Sequence, residues 1–323
     1  MRVAILDDYQ DVALTSADWA PVQERAEIEV FHDHLASEDA LVERLTRFDA
    51  IVAMRERTPF PRSLVERLPE LKLLITTGAR NASFDLDALR RAGVTVCGTG
   101  SKGSATSELT WGLILALMRR IPAEHTAIAE GEWQVGLGRD LGDKTLGVIG
   151  LGRLGSKVAA VALAFGMPVL AWSQNLTRER TDEVGVELAS SLDDLLDRAD
   201  LATIHLVLSE RTRGLIGASE LARLGTGAYL VNTSRGPIVN EAALVSALRD
   251  GTIAGAGLDV FDEEPLPDGH PLIGLENAVL TPHIGYVTAE TYAVFYRDAV
   301  ADILGYLDGT PLRVIESRRV RSP

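Results

Sequence analysis

The stretch "TLGVIGLGRLGSKVAAVALAF", Thr145–Phe165, carries Gly150, Gly152 and Gly155 in the spacing G-x-G-x-x-G, with Arg153 and Leu154 in the gap before the third glycine. The spacing alone is a weak signal. Its setting is strong, because an apolar strand pattern precedes it and a helical pattern follows. In such a turn the first glycine makes the sharp reversal and the second lets backbone approach a pyrophosphate. The third lets the helix lie close to the strand. The helix start then offers free N–H groups and a partial positive charge to phosphates. The stretch predicts a strand–turn–helix unit that binds a dinucleotide; the competing reading is three turn glycines with no ligand.

Working outward, strands read as "TLGVIG", "PVLAW", "LATIHLVL", "AYLVNTS", "IAGAGLDV" and "AVLTPH". The helices "RLGSKVAAVALAF", "SLDDLLDRA" and "NEAALVSALRDG" lie between them. The first hundred residues show the same alternation, with strands "RVAIL", "EIEVF", "AIVAM", "KLLIT" and "VTVCG" and helices "SEDALVERL" and "DLDALRRAG". Alternation of this kind predicts parallel sheets with helical crossovers. "SATSELTWGLILALMRRI" reads as one long helix ending at Pro122, apolar on more than one face, buried in a core or between domains or subunits. "VTAETYAVFYRDAVADILGYLDG" reads as one amphipathic helix and the basic tail "ESRRVRSP" as frayed.

With 323 residues the chain is long enough for two domains, and 46% hydrophobic with 24% charged residues fits a globular enzyme. A formal charge of -14 repels nucleic acid and anionic membranes, so neither is expected as a partner. The single cysteine, Cys97, excludes an internal disulfide and Cys-rich zinc sites, and at a strand end it reads as packing. "MRVAILDDYQ" enters an apolar strand without the features of a signal peptide, and runs such as "LTWGLILALM" are too short for a membrane span. A cytoplasmic, reducing location is expected. His32 and His34 in "HDH" suggest a metal, but with no third ligand nearby they read as a surface strand end, and no metal is expected. His125 and His270 read as exposed.

Three further segments place charged residues at strand ends: Arg235 in "VNTSRGPIVNEAAL", Asp259 and Glu264 in "GLDVFDEEPLP", and His283 in "VLTPHIGYVT". Strand ends of an open α/β sheet open onto its ligand crevice. Singly each residue has an ordinary surface reading, but their concentration on the glycine-turn edge favours a site.

With these segments the chain resembles the D-isomer-specific 2-hydroxyacid dehydrogenases, from the first strand to about Gly309. The resemblance implies an α/β fold of two doubly wound parallel-sheet domains, flavodoxin-like and Rossmann-like, with an active-site cleft between them. Residues 1–100 plus 288–323 would form the substrate-binding domain, and 101–287 an inserted dinucleotide-binding domain. The long helix near residue 110 would help to form a homodimer. It further implies that Arg235 binds the substrate carboxylate and polarises the keto oxygen, a task for its planar fork. His283 is then the acid/base and Glu264 the carboxylate that holds its imidazole. Asp259 lies near the nicotinamide, and Thr233, Ser234 and His205 lie beside the cofactor. The expected reaction transfers a hydride between NAD(P)(H) and a 2-keto or D-2-hydroxy acid. A corepressor-type NAD(H)-sensing protein on the same fold is the alternative. Formate and phosphite chemistry is disfavoured by Glu264, since the formate enzymes usually carry Gln there.

The chain departs from the family in places. "TTGARNASFDLDAL" resembles the carboxylate-binding loop, with Gly78 and Ala79 offering backbone N–H groups, but Arg80 stands where glycine is common. Arg80 or Asn81 then either adds a side-chain contact or narrows the cleft. Tyr286 replaces a frequent glycine and either lines the substrate pocket or packs on the interdomain helix. Val207 stands where proline is usual. In "AMRERTPF", Arg55 and Arg57 alternate along a strand end, so both would face one anion; the other reading is solvated charge. Finally, the second strand after the glycine turn ends at Ser173, roughly twenty residues on, where an Asp or Glu normally holds the adenosine ribose and repels a 2′-phosphate. Ser173 therefore predicts relaxed use of NAD(H) and NADP(H), with Asn175, Thr177, Arg178 and Arg153 as candidate phosphate partners.

Overall fold

Apolar runs of four residues, bounded by polar turns, form most of the strands, and the central ones are buried along their whole length. Parallel strands covered on both faces read as continuous hydrophobic runs for this reason. The computed structural model describes residues 1–316. Two compact units emerge, Met1–Lys102 with Val287–Pro323, and Gly103–Tyr286. Beyond Glu316, the tail read as frayed lies outside the described residues.

The first unit runs β1 (Arg2–Ile5), α1 (Ala20–Gln23), β2 (Glu27–Val30), α2 (Glu38–Leu45), β3 (Ala50–Ala53), α3 (Arg62–Val65), β4 (Leu73–Thr76), α4 (Leu86–Arg91) and β5 (Thr95–Gly98). Its sheet has the order β2-β1-β3-β4-β5, all parallel.

The second unit runs α5 (Ala105–Met118), α6 (Ile121–Ala129), β6 (Leu146–Ile149), α7 (Arg153–Ala164), β7 (Val169–Trp172), α8 (Arg178–Val184), β8 (Glu187–Leu188), α9 (Leu192–Arg198), β9 (Leu201–Ile204), α10 (Ala218–Leu224), β10 (Tyr229–Asn232), α11 (Glu241–Arg249), β11 (Gly255–Leu258) and β12 (Ala278–Leu280). Its seven parallel strands are ordered β12-β11-β10-β9-β6-β7-β8. The chain then returns to the first unit as α12 (Ala289–Leu307), which buries Tyr292, Phe295 and Tyr296. Residues 313–315 extend that unit's sheet, because Val314 bridges Cys97 antiparallel and Gly98 N–H donates to the Arg313 carbonyl at 3.1 Å. Cys97 is fully buried, and burial pushes its thiol up to about 12, so it packs and does not react.

The sequence and the structure part in several places. The helix expected to stop at Pro122 stops at Met118; Arg120 turns left-handed (φ 54°) and α6 begins, with Pro122 in its first turn. Proline is tolerated there because its missing N–H would have had no helical partner. "LATIHLVL" is a strand only through Ile204, in register with the ends of its neighbours β6 and β10. The two-residue β8 is too short for any periodicity to reveal. Among the described residues no helix is long and apolar enough to cross a membrane.

Packing in the second unit depends on close backbone approach. α5 lies against β11 at Gly257, where a Cβ would come within 3.0 Å of Leu117 and 3.2 Å of Leu113. At Gly155 a Cβ would stand 2.0 Å from the Gly150 carbonyl oxygen, so α7 docks on its strand only without a side chain there. Gly155→Ala should therefore cost about 1–3 kcal/mol of stability, the usual scale of overpacking. Gly152→Ala, where nothing lies within 4 Å, should unfold close to wild type. Urea unfolding of the two variants checks this, and equal stability would contradict the close approach.

Candidate active site

Strand register assembles the site. Ile149 pairs with Trp172 and Ile204, Ile204 with Asn232, Asn232 with Leu258, and Leu258 with Leu280. The next residue on each strand therefore falls on one edge: Gly150, Ser173, His205, Thr233, Asp259 and Thr281. Strand order reverses between β6 and β9, the switch point at which ligands bind in open α/β sheets. There Gly150 (φ 105°) packs against His205, whose carbonyl oxygen would lie 2.7 Å from a Cβ on Gly150.

The glycine turn fits a pyrophosphate. Gly150 and Gly155 are packed tight, whereas the space beside Gly152 is open for 4 Å, so a phosphate meets backbone there and not a side chain. Arg153 and half-buried Leu154 begin α7, a twelve-residue helix whose first N–H groups face that edge. Arg153 itself turns aside, with Nη1 donating to the Gly103 carbonyl at 3.4 Å, and Lys157 donates to the same oxygen at 3.3 Å. Burial pushes the His205 imidazole down to about 4, so the ring is neutral at pH 7; its Nε2 lies 3.0 Å from Thr203 Oγ1.

The segment after β10 is bound to its neighbours before any ligand arrives. Thr233 Oγ1 lies 2.9 Å from Thr110 Oγ1. The Ser234 hydroxyl donates to the Ile204 carbonyl at 2.7 Å. Asn232 ties the loop, with Nδ2 donating to the Arg235 carbonyl (2.9 Å) and Oδ1 accepting from Ser234 N–H (3.0 Å). Arg235 Nη1 donates to the Ser234 carbonyl at 2.7 Å. At Gly236 a Cβ would meet the Phe261 carbonyl carbon and oxygen at 2.1 Å, so the Arg235 loop lies flush on the chain that leads to Glu264.

Asp259 organises the other side. It is 1% exposed and accepts three bonds: Thr281 hydroxyl at 2.6 Å, Ile284 N–H at 2.8 Å and Gly285 N–H at 2.8 Å. Burial raises its carboxyl above the ordinary value, against these bonds and the His283 charge. The three donors hold the segment in which His283 adopts a left-handed conformation (φ 52°). His283 Nδ1 then meets Glu264 Oε2 at 2.5 Å. A carboxylate only accepts, so Nδ1 carries the proton and Nε2 remains for transfer. Glu264 Oε1 is fixed by Phe261 N–H at 2.9 Å. Burial works against the charged Glu264, but the bond and charge of His283, the Phe261 N–H and the Arg235 charge outweigh it, and its carboxyl lies below the ordinary value. Tyr286 meets the His283 ring edge-on, with centroids 5.5 Å apart at 71°.

The candidates in the first unit are placed differently from their reading. Arg55 and Arg57 lie beyond the end of β3 and Arg55 is left-handed (φ 52°), so strand alternation does not apply to them. Arg55 donates to the Thr77 carbonyl at 3.2 Å and lies over Gly78, while Arg57 donates to the Asp7 carbonyl at 2.8 Å and covers the Tyr9 ring at 4.6 Å. Gly78 N–H is committed to Thr99 Oγ1 at 2.6 Å. Asn81 is buried and holds its own loop, donating to the Arg55 carbonyl (2.6 Å) and Thr76 (2.9 Å) and accepting from Ser83. Ala79 and Arg80 are exposed. His34 bonds buried Asp7 at 2.9 Å, whereas His32 stands with Asp8 and Asp11, their ligand atoms within 4.8 Å of one another. The two histidines of "HDH" thus go to different partners, and the carboxylates beside His32 come from a loop distant in sequence, where both Asp8 oxygens already accept from Val12 and Ala13 N–H.

Sequence reasoning missed Thr281, Asn232, Thr110 and Arg180. The first three are tied to the site through side-chain bonds: Thr281 to Asp259 on the neighbouring strand, Asn232 within the Arg235 loop, and Thr110 from α5 to Thr233; Thr281 in "LTPH" had a signal in its position at a strand end.

Known proteins resemble this chain over most of its length. A family model described as "D-isomer specific 2-hydroxyacid dehydrogenase, NAD binding domain" matches residues 111–285. A glyoxylate reductase of Aeropyrum pernix is 40% identical over 273 residues, covering 80% of this chain and 81% of that protein. A D-3-phosphoglycerate dehydrogenase of Methanocaldococcus jannaschii is 37% identical over 257 residues, covering 79% of this chain and 49% of the relative, so the chain spans about half of it. A solved phosphoglycerate oxidoreductase from Vibrio cholerae o395 has a TM-score of 0.90 at 35% identity, with 96% of this chain and 99% of that one covered. The chain belongs to the D-isomer-specific 2-hydroxyacid dehydrogenase family.

Proposed function

We propose that this protein reduces 2-keto acids to D-2-hydroxy acids, and the reverse, with Arg235, Glu264 and His283 as its catalytic set. The observation that carries this is the Glu264–His283 pair at 2.5 Å, on the sheet edge that also bears the glycine turn. When bound, the nicotinamide cofactor supplies or takes up the hydride. Arg235 holds the substrate carboxylate with its planar fork and polarises the keto oxygen. In reduction His283 delivers a proton from Nε2 to that oxygen, and in oxidation it takes the proton back. Glu264 keeps the ring in the tautomer this requires. The backbone of Gly150, Gly152, Arg153, Leu154 and Gly155 holds the pyrophosphate side of the cofactor, with Ser173, His205, Thr233, Ser234 and Asp259 along the same edge. For the first unit we propose substrate binding through Arg55 and the exposed Ala79 and Arg80 of the loop after β4, a loop that Gly78 and Asn81 hold in place through their own bonds. Tyr286, against the His283 ring, completes the set. The named relatives are reductases and dehydrogenases, which favours turnover over a corepressor-type sensor.

Neutral Ser173 supports relaxed use of NAD(H) and NADP(H). A homodimer is supported by apolar side chains left exposed on α6 and the loop after it: Ile121, Ile128, Trp133 (77% exposed) and Leu137 (93%). The single cysteine, with its thiol buried, suits a reducing cytoplasmic compartment.

A spectrophotometric panel of 2-keto acids with NADH and NADPH tests the reaction, and no turnover with any of them would refute it. Within it, His283→Ala should lose about 10²–10⁴-fold in kcat. Glu264→Gln should lose less, because the amide can still meet Nδ1 but no longer fixes the ring in one tautomer. Wild-type turnover by His283→Ala would contradict the assignment. Arg235→Lys should lower kcat/KM by about tenfold or more, since an ammonium cannot reproduce a two-point contact with a carboxylate; an unchanged kcat/KM would remove Arg235 from the substrate.

A further inference from the structure

We infer that Arg180 is the side chain that accommodates a 2′-phosphate, so that the dinucleotide site takes NADP(H) through a residue outside the usual strand-end position. This rests on the reading of a dinucleotide site at the glycine turn. In this fold the adenosine ribose lies between that turn and the residue ending the second strand, where a carboxylate selects NAD and a nearby arginine accommodates the extra phosphate. Here the strand end is Ser173, and β7 is joined to the turn by the Gly150 N–H, which donates to the Trp172 carbonyl at 2.8 Å. The chain folds back through a bend closed by Leu176 N–H on the Ser173 carbonyl at 3.0 Å, and Thr177 caps α8 by accepting from Arg180 N–H at 3.4 Å.

That return carries the Arg180 guanidinium to the turn itself. Nε donates to the Leu151 carbonyl at 3.4 Å and Nη2 to Ser156 Oγ at 2.7 Å, one residue past Gly150 and one past Gly155. Nη1 pairs with Glu183 at 2.8 Å. These bonds use three of five N–H groups and leave one on each terminal nitrogen, on a side chain 41% exposed. The other basic residues near the turn are elsewhere: Arg153 and Lys157 are drawn to the Gly103 carbonyl, and Arg178 is an exposed first residue of α8. The site thus loses the carboxylate that repels a 2′-phosphate and gains a guanidinium held at the turn. Glu183 tempers that charge and exposed Glu179 stands one residue away, so the structure favours acceptance of both cofactors over strict NADP(H) selectivity.

Binding without substrate tests this: titration of the full chain with NADPH and NADH by cofactor fluorescence, and with 2′,5′-ADP and 5′-AMP by calorimetry. Wild type should bind NADPH at least as tightly as NADH. Arg180→Ala should weaken NADPH and 2′,5′-ADP by about tenfold or more while NADH and 5′-AMP change by less than about twofold. Arg180→Lys should recover part of the loss, and Glu183→Gln should raise the NADPH preference by freeing the guanidinium. If Arg180→Ala fails to fold, these two variants decide the matter. Equal weakening of all four ligands would make Arg180 a strut of the turn and overturn the inference. Wild type that binds NADH but not NADPH would overturn it and leave the proposed function standing. Wild type that binds neither would overturn both.

Discussion

The buried carboxylate of Asp259 is the constraint on which the catalytic edge depends. A carboxylate withdrawn from water is costly unless donors replace the lost solvent. Asp259 receives three, all from residues 281–285, and so dictates the path of that segment. The path includes a left-handed residue that is not glycine, a conformation that persists only where its surroundings impose it. That residue is His283. The strained backbone and the position of His283, the proposed acid/base, are one fact, and Glu264 completes it by fixing the ring through Nδ1.

The same logic of early commitment runs through the rest of the edge. Side chains that look available in the sequence are bonded within the protein: Ser234 to β9, Asn232 to the Arg235 carbonyl, Thr233 to Thr110 on α5. Missing side chains at Gly150, Gly155 and Gly236 let backbones approach to distances a Cβ would forbid. The result is an edge whose geometry is set by the protein before substrate arrives, and preorganisation of this kind is where much of catalytic power resides.

Most of the sheets were legible because parallel strands buried on both faces leave uninterrupted apolar runs, and the glycine turn because its spacing sits between a strand and a helix. The concentration of Arg235, Glu264 and His283 was legible as charge at strand ends. Other features were not, each for a physical reason. Pro122 reads as a stop, yet it sits in a first turn because Arg120 takes the left-handed conformation that proline patterns do not reveal. Arg55 and Arg57 read as a strand pair, yet β3 ends at Ala53 and their guanidiniums go to different partners. Asn81 reads as a substrate contact, yet its amide is committed to the loop that carries it. Arg180 carries no signal in the sequence, because only the fold brings it to Leu151 and Ser156.

Turnover of Asp259→Asn tests the central claim most directly. The amide keeps the shape but puts an NH2 group where one carboxylate oxygen accepted, leaving a buried N–H or hydroxyl without its acceptor, and a small displacement of His283 is enough to cost about 100-fold in rate. The account predicts a folded protein whose kcat for keto-acid reduction falls on that scale. Wild-type kcat in folded Asp259→Asn would contradict it.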